Sequence, residues 1–366
     1  MSAVNERGAA VRYPSAVDVR TEFNQLLADI EGEMLSVLEE RDGQVKPLYD
    51  MLAYQLGLDQ PAGPRGKRLR PLLGLLAYQS LGGDYRQVLA GAAAVELGHN
   101  FSLVHDDIED ADRERRHRPT LWAIWGVPLA INAGDALSAL SRVAMYRLVG
   151  GQFPDAIVLR LMRVFDETCL ALCEGQFLDI MFERRTEVSV EEYLDMITKK
   201  TAALIAASLQ AGAMLATDDQ ATVDAYRRIG LDLGLAFQMA DDVKGTFWSS
   251  AKSGKPEAGD VRRRKKTMPV VWAVATAPEA DANRLRELYR APDPDGLATA
   301  GVAAQPMPDE HVDEVLSILE RCGARQHTLA EARRYRDLAL DGIARLPITD
   351  VHRSELSELV AATIAT

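Results

Sequence analysis

The sequence predicts an all-α protein, a single large helical bundle around a central cavity. Apolar residues recur at helical spacing through ten segments, and no segment shows a convincing strand alternation or an Asn-Gly hairpin signal. Allowing for shorter helices between these segments, we expect roughly ten to thirteen helices. The periodic segments are 19–38, 70–81, 88–108, 129–148, 156–182, 190–215, 221–247, 268–276, 312–322 and 329–346.

The first two periodic segments are separated by residues that disfavour helices. In the segment 19–38, Val19, Phe23 and Ile30 form one apolar stripe, which predicts an amphipathic helix. A turn rich in proline and glycine at 60–66 separates the early helices from the second periodic segment. The polar residues between segments therefore predict loops.

Later loops indicate how the chain is divided into domains. Residues 150–155 separate two long helices, and the polar stretch 249–259 predicts a flexible loop. Residues 291–308, rich in Pro, Gly and Ala, are the best candidate for a domain boundary, but the chain beyond them is too short for an independent core. We therefore predict a flexible N-terminal segment, 1–18, and one domain, 19–366.

Composition excludes several classes of protein. The chain has 54 acidic and 42 basic residues, a net charge of −12, whereas bulk nucleic-acid binding requires a broad basic surface. The basic residues cluster at 65–70, 113–118 and 262–266, which suits a compact anion. Three cysteines without a Cys-x-x-Cys spacing fit a reducing cytoplasm. We expect a cytoplasmic protein with no membrane span and no nucleic-acid partner.

Residues 106–110 form a dense acidic motif. Asp106 and Asp110 are four residues apart, so on a helix their carboxylates project from the same face and repel each other. A divalent cation relieves that repulsion, and Mg²⁺ combines a few carboxylate oxygens with water and phosphate oxygens. Because apolar residues precede the motif directly, a buried helix is favoured over an exposed acidic helix end. The motif therefore predicts a magnesium site.

A second acidic pair, Asp241 and Asp242, ends another apolar helical run, with Gln238 one turn upstream. Two such pairs that face each other across a cavity would hold several divalent cations. That cluster requires a polyanionic ligand to balance its charge, and nearby basic residues would bind the outer oxygens of this ligand.

Two basic pairs accompany the acidic motifs. Arg115 and Arg116 follow the first motif closely enough to reach a phosphate on the same metal. Lys67 and Arg70 enter a helix with Pro71 at its start, where free backbone N–H groups also favour anions. Together the motifs predict a magnesium-dependent enzyme that handles diphosphates.

From about Gly66 to Pro269 these motifs resemble the trans-isoprenyl diphosphate synthases, or polyprenyl synthetase family, and most of all its bacterial geranylgeranyl diphosphate synthases. The matching motifs occur in the order of the family. They are 66–71, 96–99, 102–110, 115–120, 132–135, 175–179, 200–201, 237–242, 254–255 and 260–269.

The resemblance implies head-to-tail transfer of a C5–C15 allylic diphosphate to isopentenyl diphosphate by a homodimer, with the released diphosphate removing the proton. Isopentenyl diphosphate would bind Lys67, Arg70, His99 and Arg116. The allylic diphosphate would bind Arg115, Lys200, Thr201, Gln238, Lys255 and Lys265. Three Mg²⁺ ions would bind Asp106, Asp110 and Asp241. The residues counted as catalytic are Asp106, Asp107, Asp110, Arg115, Lys200, Asp241 and Asp242.

The second acidic motif departs from that family pattern. Its third aspartate is replaced by Gly245, which cannot bind a metal, and Lys244 adds a positive charge beside it. Residues 246–249 also lack the aspartate that follows such a glycine in some bacterial members. We expect weaker metal binding, an altered order of substrate binding or changed chemistry.

Product length is expected to depend on residues one turn before the first motif. In the family a bulky side chain there closes the floor of the product tunnel. Phe101 and the small Ser102, five and four residues before Asp106, resemble enzymes that make a C20 product, and Gly98 leaves space below them. We expect geranylgeranyl diphosphate, with C15 and C25 as the neighbouring alternatives. The other interpretation of Phe101 is plain core packing, in which case an adjacent helix closes the tunnel first.

Two other functions stay open. A class I terpene cyclase is also all-α and carries an Asp-rich motif, but its second metal motif requires Ser or Thr at position 245 and Glu at 249, where Gly245 and Ser249 stand. Arg334 and Tyr335 resemble a pair that some cyclases use. The other alternative is a degenerate subunit of a hetero-oligomeric synthase. The shortened second motif favours that alternative, and the complete basic motifs argue against it.

Overall fold

The computed structural model describes residues 23–40, 45–60, 65–248, 258–290 and 306–363. Its architecture confirms the predicted all-α class. In these ranges the paired strands are confined to one hairpin, β1 (Glu114–Arg115) and β2 (Arg118–Pro119). No helix in the described ranges is long and apolar enough to cross a membrane.

Sixteen α-helices lie within the described ranges. They are α1 (Asn24–Glu39), α2 (Lys46–Leu56), α3 (Leu69–Ser80), α4 (Leu89–Glu109), α5 (Leu121–Trp125), α6 (Val127–Tyr146), α7 (Asp155–Glu183), α8 (Val190–Ile197), α9 (Ala203–Ala216), α10 (Gln220–Phe247), α11 (Gly259–Arg262), α12 (Met268–Thr276), α13 (Glu279–Leu288), α14 (Asp309–Arg321), α15 (Ala324–Ala344) and α16 (Asp350–Thr363). A 3₁₀ turn (Tyr85–Val88) precedes α4, and a π-helical turn (Thr198–Ala202) joins α8 to α9.

Each of the ten periodic segments corresponds to helix in the structure, but the expected count of ten to thirteen helices was too low. The additional helices are α2, α5, α11, α13 and α16; α5 and α11 have only five and four residues, too few to show a helical period. The segment 190–215, expected as one helix, is interrupted by the π turn. Residues 1–22 lie outside the described ranges, and the division into 1–18 and 19–366 stays a prediction.

Helix α4 connects the acidic motif to the protein core. Leu97 and Val104 are buried in an apolar cluster that joins α4 to α1, α2, α6 and α7. Helix α10 belongs to a second cluster with α3, α9, α15 and α16, where Leu233 is fully buried. The two acidic motifs therefore lie near the C-terminal ends of helices that are held in different parts of the core.

The hairpin after α4 has a backbone that its residues rarely adopt. Arg116 and His117 have φ angles of 52° and 60°, and they form the two-residue turn between β1 and β2. Two central residues with positive φ define a type I′ turn, which asparagine and glycine normally occupy. Holding larger residues there costs about 1–3 kcal/mol each, a strain that is found most often at functional sites. The turn gives Arg115 and Arg116 fixed positions beside α4.

The π turn fits between two helices only because both carry glycine. A Cβ atom on Gly175 of α7 would lie 2.3 Å from the Lys200 nitrogen, and one on Gly234 of α10 would lie 2.4 Å from the Ala202 Cα. Single π turns inside helices occur most often at functional sites. Here the turn brings Lys200 and Thr201 between α7 and α10.

We predict that Gly234→Ala destabilises the protein by about 1–3 kcal/mol, because the added methyl group must displace the backbone of the π turn. Gly32→Ala is the matched control: a Cβ there meets nothing within 4 Å, so alanine should raise stability by up to about 1 kcal/mol. Thermal unfolding followed by circular dichroism measures both changes. A Gly234→Ala variant that melts at or above the wild-type Tm would contradict the close packing.

Candidate active site

A cavity of about 470 Å³ opens between α3, α4, α7, the π turn, α10 and the segment around α11. Its lining includes residues from eight of the sequence motifs. The expected site residues that line it are Lys67, Arg70, His99, Ser102, Asp106, Asp110, Arg115, Arg116, Lys200, Thr201, Gln238, Asp241, Asp242 and Lys265.

Asp106 and Asp110 lie on the cavity face of the last turns of α4. Among the residues described, no side chain pairs with the Asp106 carboxylate, and burial raises its pKa to about 6 although Lys200 opposes that shift. Asp110 accepts a hydrogen bond from Lys265 Nζ at 2.9 Å. Burial alone would raise the pKa of Asp110, but Lys265 and Lys200 hold it below its usual value.

Asp107, expected to be catalytic, lies outside the lining of the cavity. It projects about 100° around α4 from Asp106, is buried, and accepts a hydrogen bond from Arg115 Nε at 2.7 Å. Burial raises the pKa of Asp107 to about 7 against the attraction of Arg115. The physical role visible in the structure is to fix Arg115, whose side chain does line the cavity.

The two aspartates of the second motif are also unequal. Asp241 is solvent-exposed on the cavity rim, so its carboxylate is accessible to a cation. Asp242 is buried and accepts hydrogen bonds from the Tyr193 hydroxyl at 2.6 Å, Gln238 Nε2 at 2.9 Å and the Met268 backbone N–H at 2.8 Å. Burial raises the pKa of Asp242 to about 7 even though these donors favour its charged form. Asp242 thus positions its neighbours, and Asp241 faces the cavity.

Both polar atoms of the Gln238 side chain are hydrogen-bonded. Its Nε2 donates to Asp242, and its Oε1 accepts from the Thr201 hydroxyl at 2.6 Å. The chain Thr201–Gln238–Asp242 therefore joins the π turn to α10 and α12. Neighbouring polar groups in such a network hold one another in a single orientation.

A buried ion-pair network lies between the two acidic motifs. Asp179 of α7 is 2.6 Å from Lys200 Nζ and 3.5 Å from Lys265 Nζ, and Lys265 also binds Asp110. Burial would raise the pKa of Asp179, but the two lysines lower it far below its ordinary value. Beside the network, Arg263 pairs with Asp112 at 2.6 Å.

Asp112, Arg263 and the pairing role of Asp179 had no sequence-based assignment. Asp179 was part of a recognised motif, but its partners come from elements that are far apart in the chain. In the sequence, Asp179 lies four residues after Gly175 and so shares its helix face, which was the one signal that Asp179 faces the segment packed against Gly175.

The opposite side of the cavity carries unbalanced positive charge. Arg70 Nη1 is 3.2 Å from His99 Nε2, and the buried Arg70 Nε has no hydrogen-bond partner. Burial lowers the pKa of Arg70 to about 10, and burial together with Arg70 and Arg116 lowers that of His99 well below its usual value. Among the residues described, no carboxylate lies within ion-pair distance of Lys67 or Arg116.

Glu96 attracts Arg70 and Arg116 but balances them only in part, because its carboxylate forms an ion pair with Arg68. Arg68, which is fully buried, donates to Glu96 at 2.8 Å and also bonds Glu31 of α1. This pair holds α1, α3 and α4 together. The remaining cations therefore form a site for an anion from outside the protein.

The residues expected to set product length separate in space. Ser102 lines the cavity, but Phe101 and Gly98 do not. Phe101 is buried on another side of α4, where its ring contacts His105 edge-on. Gly98 faces the ring of Phe165, since a Cβ there would lie 2.6 Å from Phe165 Cζ. Phe101 therefore does not close the cavity from this position.

Three further sequence expectations concern Lys255, the pair Arg334 and Tyr335, and the binding of a metal ion. Lys255 lies outside the described residues. Arg334 lies over the ring of Tyr335, 4.1 Å from its centroid, and neither residue lines the cavity. In the described ranges, no three His, Cys, Asp or Glu side chains converge to hold a metal ion by themselves. A cation at either acidic motif would therefore require additional oxygens from water or a ligand.

Comparison with known proteins identifies the family of this chain. The family model described as polyprenyl synthetase matches residues 53–300. The chain is 43% identical over 252 residues to a geranylgeranyl diphosphate synthase of Mycobacterium tuberculosis, covering 68% of this chain and 71% of that protein. It is 38% identical over 323 residues to a (2E,6E)-farnesyl diphosphate synthase of the same species, covering 87% and 85%.

A solved structure shows the same architecture. The geranylgeranyl pyrophosphate synthetase from Pyrococcus horikoshii aligns with a TM-score of 0.82 at 31% identity, covering 95% of this chain and 98% of that one. The family match spans more than half of the sequence, and the relatives named as farnesyl and geranylgeranyl diphosphate synthases are prenyltransferases. This chain belongs to the polyprenyl synthetase family.

Proposed function

We propose that this protein is a Mg²⁺-dependent prenyltransferase that condenses isopentenyl diphosphate with a C5–C15 allylic diphosphate, head to tail. One observation carries the proposal: a single cavity has unbalanced cations on one side and unpaired carboxylates, Asp106 and Asp241, on the other. The first side suits a diphosphate bound directly, and the second suits a diphosphate bound through metal ions.

Isopentenyl diphosphate is assigned to the cationic side. Lys67, Arg70 and Arg116 supply charge that the protein itself leaves unbalanced, and the unpartnered Arg70 Nε is a ready donor. His99 stays neutral beside them and can donate one N–H without adding charge. A second diphosphate substrate explains why this side of the cavity retains so many cations.

The allylic diphosphate is assigned to the metal side. Arg115, Lys200 and Lys265 are held there by carboxylates of the protein, and Thr201 and Gln238 complete the polar surface. Lys255 is assigned to the allylic diphosphate because of the sequence resemblance alone. The lysines would exchange part of their contact with Asp179 and Asp110 for phosphate oxygens when the substrate binds.

The carboxylates suit Mg²⁺, the divalent ion typical of the family. Asp106 is half-buried with no side chain paired to it, Asp110 lies one turn along the same face, and Asp241 lines the cavity from α10. We assign three ions to this set when the allylic substrate is bound. Mg²⁺ would neutralise the allylic diphosphate and favour its departure.

The side chains of this chain would have two tasks in the reaction, and the proton is assigned to the substrate's own diphosphate. Arg115, Lys200 and Lys265 stabilise negative charge on the departing diphosphate. Leu103, Leu172 and Leu204 line the cavity, so they shelter the allylic carbon from water while the isopentenyl double bond attacks it. In the described lining the one imidazole, His99, contacts Arg70 and is a poor base, so the released diphosphate is assigned the proton.

We propose a C20 product, geranylgeranyl diphosphate. The side chain of α4 that lines the cavity one turn before Asp106 is the small Ser102. The same face of α4 continues downward through Val95 and Ala92, which line a separate small cavity of about 20 Å³. The small side chain at Ser102 and the apolar residues below it support growth of the prenyl chain in this direction.

We also propose a cytoplasmic homodimer. Helices α6 and α7 expose large apolar side chains, which are rarely left in water over a wide surface. They include Leu129, Ile131, Tyr146, Leu159, Leu170 and Phe177. Light scattering coupled to size-exclusion chromatography measures the mass directly.

We predict elongation when the purified protein is incubated with Mg²⁺, isopentenyl diphosphate and each of the C5, C10 and C15 primers, with product lengths read by chromatography. Chelation by EDTA should abolish it, because the metal side of the cavity cannot bind the allylic diphosphate alone. Absence of elongation with every primer would overturn the proposal. Hydrocarbon release from one allylic substrate would favour a cyclase, and activity only with an added subunit would favour a degenerate partner.

Asp106→Asn and Asp107→Asn should change different kinetic parameters. Loss of Asp106 removes a metal-binding carboxylate, so kcat should fall at least about a hundredfold and the Mg²⁺ requirement should rise. Loss of Asp107 releases Arg115, so KM for the allylic diphosphate should rise about tenfold at an unchanged Mg²⁺ requirement. Steady-state kinetics at several Mg²⁺ concentrations separates the two. Equal Mg²⁺ dependence in both variants would contradict the division of roles.

Product length should respond to Ser102 and not to Phe101. Ser102→Phe places a ring in the cavity, so the main product should become C15 or shorter. Phe101→Ala acts on the buried side of α4, so the product distribution should stay unchanged, although stability should fall by about 3–5 kcal/mol. Lengthened products from Phe101→Ala would place the floor of the tunnel at Phe101 after all.

A further inference from the structure

Lys244 lies within the second acidic motif but is a cation, in the last turn of α10. It follows Asp241 by three residues and Phe237 by seven, so the three side chains share one face of the helix. All three line the cavity. A lysine in the last turn of a helix normally extends into water, where it also interacts favourably with the helix dipole. Lys244 is instead half-buried at the wall of the cavity.

The ammonium group of Lys244 is oriented by an aromatic ring and not by a carboxylate. In the part of the chain that the structure describes, no carboxylate forms an ion pair with it. Its Nζ lies 5.4 Å from the ring centroid of Trp248, within the range of a cation–π contact. The ring orients the ammonium group without neutralising it. Lys244 therefore keeps its charge available for an anion that enters the cavity.

The charges around Lys244 show where in the cavity it lies. Burial lowers the pKa of Lys244, the attraction of Asp241 opposes that shift, and the repulsion of Lys67 adds to it. Asp241 belongs to the metal side of the cavity, and Lys67, from the segment before α3, belongs to the cationic side. Lys244 is therefore close to both sides and lies where they meet.

Lys67 and Lys244 form a pair of like charges on different elements of the fold. Like charges at short range destabilise each other unless a group of opposite charge lies between them. Neither lysine forms an ion pair with a carboxylate of the described residues. A diphosphate carries enough negative charge and enough oxygens to bind both ammonium groups at once. The diphosphate assigned to Lys67 would therefore also relieve its repulsion with Lys244.

We propose that Lys244 binds the diphosphate of isopentenyl diphosphate together with Lys67, so that the second acidic motif serves both substrates. The inference rests on the proposed function, which assigns isopentenyl diphosphate to the cationic side. Asp241 would bind a metal ion of the allylic diphosphate, and Lys244, three residues later on the same face, would bind the other substrate. The positive charge beside Asp241 then has a function of its own and does not simply weaken the metal site.

The test measures the Kd of isopentenyl diphosphate by isothermal titration calorimetry in EDTA, so that binding to the cationic side is measured without metal ions. Lys244→Met keeps an unbranched side chain but removes the charge, and the Kd should rise about tenfold. Lys244→Arg restores the charge, and its Kd should stay within about threefold of wild type. Arg227→Ala is the matched control, because it removes one positive charge from the exposed face of α10 and should leave the Kd unchanged.

A second titration, of geranyl diphosphate with Mg²⁺ and without isopentenyl diphosphate, measures the metal side. Lys244→Met should not weaken this binding, because the proposed contact is with the other substrate. An unchanged Kd of isopentenyl diphosphate in Lys244→Met, equal losses for both substrates, or a Lys244→Arg variant as weak as Lys244→Met would each overturn the inference. Wild-type protein that binds isopentenyl diphosphate neither in EDTA nor with Mg²⁺ and inorganic diphosphate would instead overturn the proposed function.

Discussion

The buried network of Asp110, Lys265, Asp179 and Lys200 is the constraint on which the cavity depends. It joins the end of α4, the middle of α7, the π turn and the segment after α11, which are distant in the chain. Removing one partner from a buried pair typically costs about 3–5 kcal/mol, because the other charge remains buried. The network therefore holds Lys200 and Lys265 charged and oriented at the wall of the cavity.

The remaining charges divide the cavity into two functional sides. On the cationic side, Glu96 forms its ion pair with Arg68, and no carboxylate in the described structure forms an ion pair with Lys67, Arg70 or Arg116. On the metal side, carboxylates and lysines alternate, and Asp106 and Asp241 face the cavity. A cavity with one such side would suit one anion. Two sides of opposite character favour two diphosphates, one bound by cations and the other through metal ions.

Backbone geometry positions these groups as much as side-chain chemistry does. The type I′ turn at Arg116 and His117 directs Arg115 and Arg116 to the cavity, and the π turn brings Lys200 and Thr201 between α7 and α10. Gly175 and Gly234 leave the room that the π turn requires. The non-glycine residues with positive φ lie in segments that contribute to the cavity lining; they are Arg68, Ala111, Arg116, His117, Ala258 and Arg264.

The sequence alone determined the fold class, the long helices and the residue types of the site, because helical periodicity and the spacing of Asp106 and Asp110 are local properties. Helices of a few residues, such as α11, were missed because they have no period to detect. Neighbouring residues on one helix point about 100° apart, but the sequence does not say which face of α4 borders the cavity. Only the tertiary structure could therefore show that Asp107 and Phe101 lie outside the cavity lining. It alone could also decide which distant groups meet, as Lys265 and Asp110 do, since such contacts depend on how helices pack.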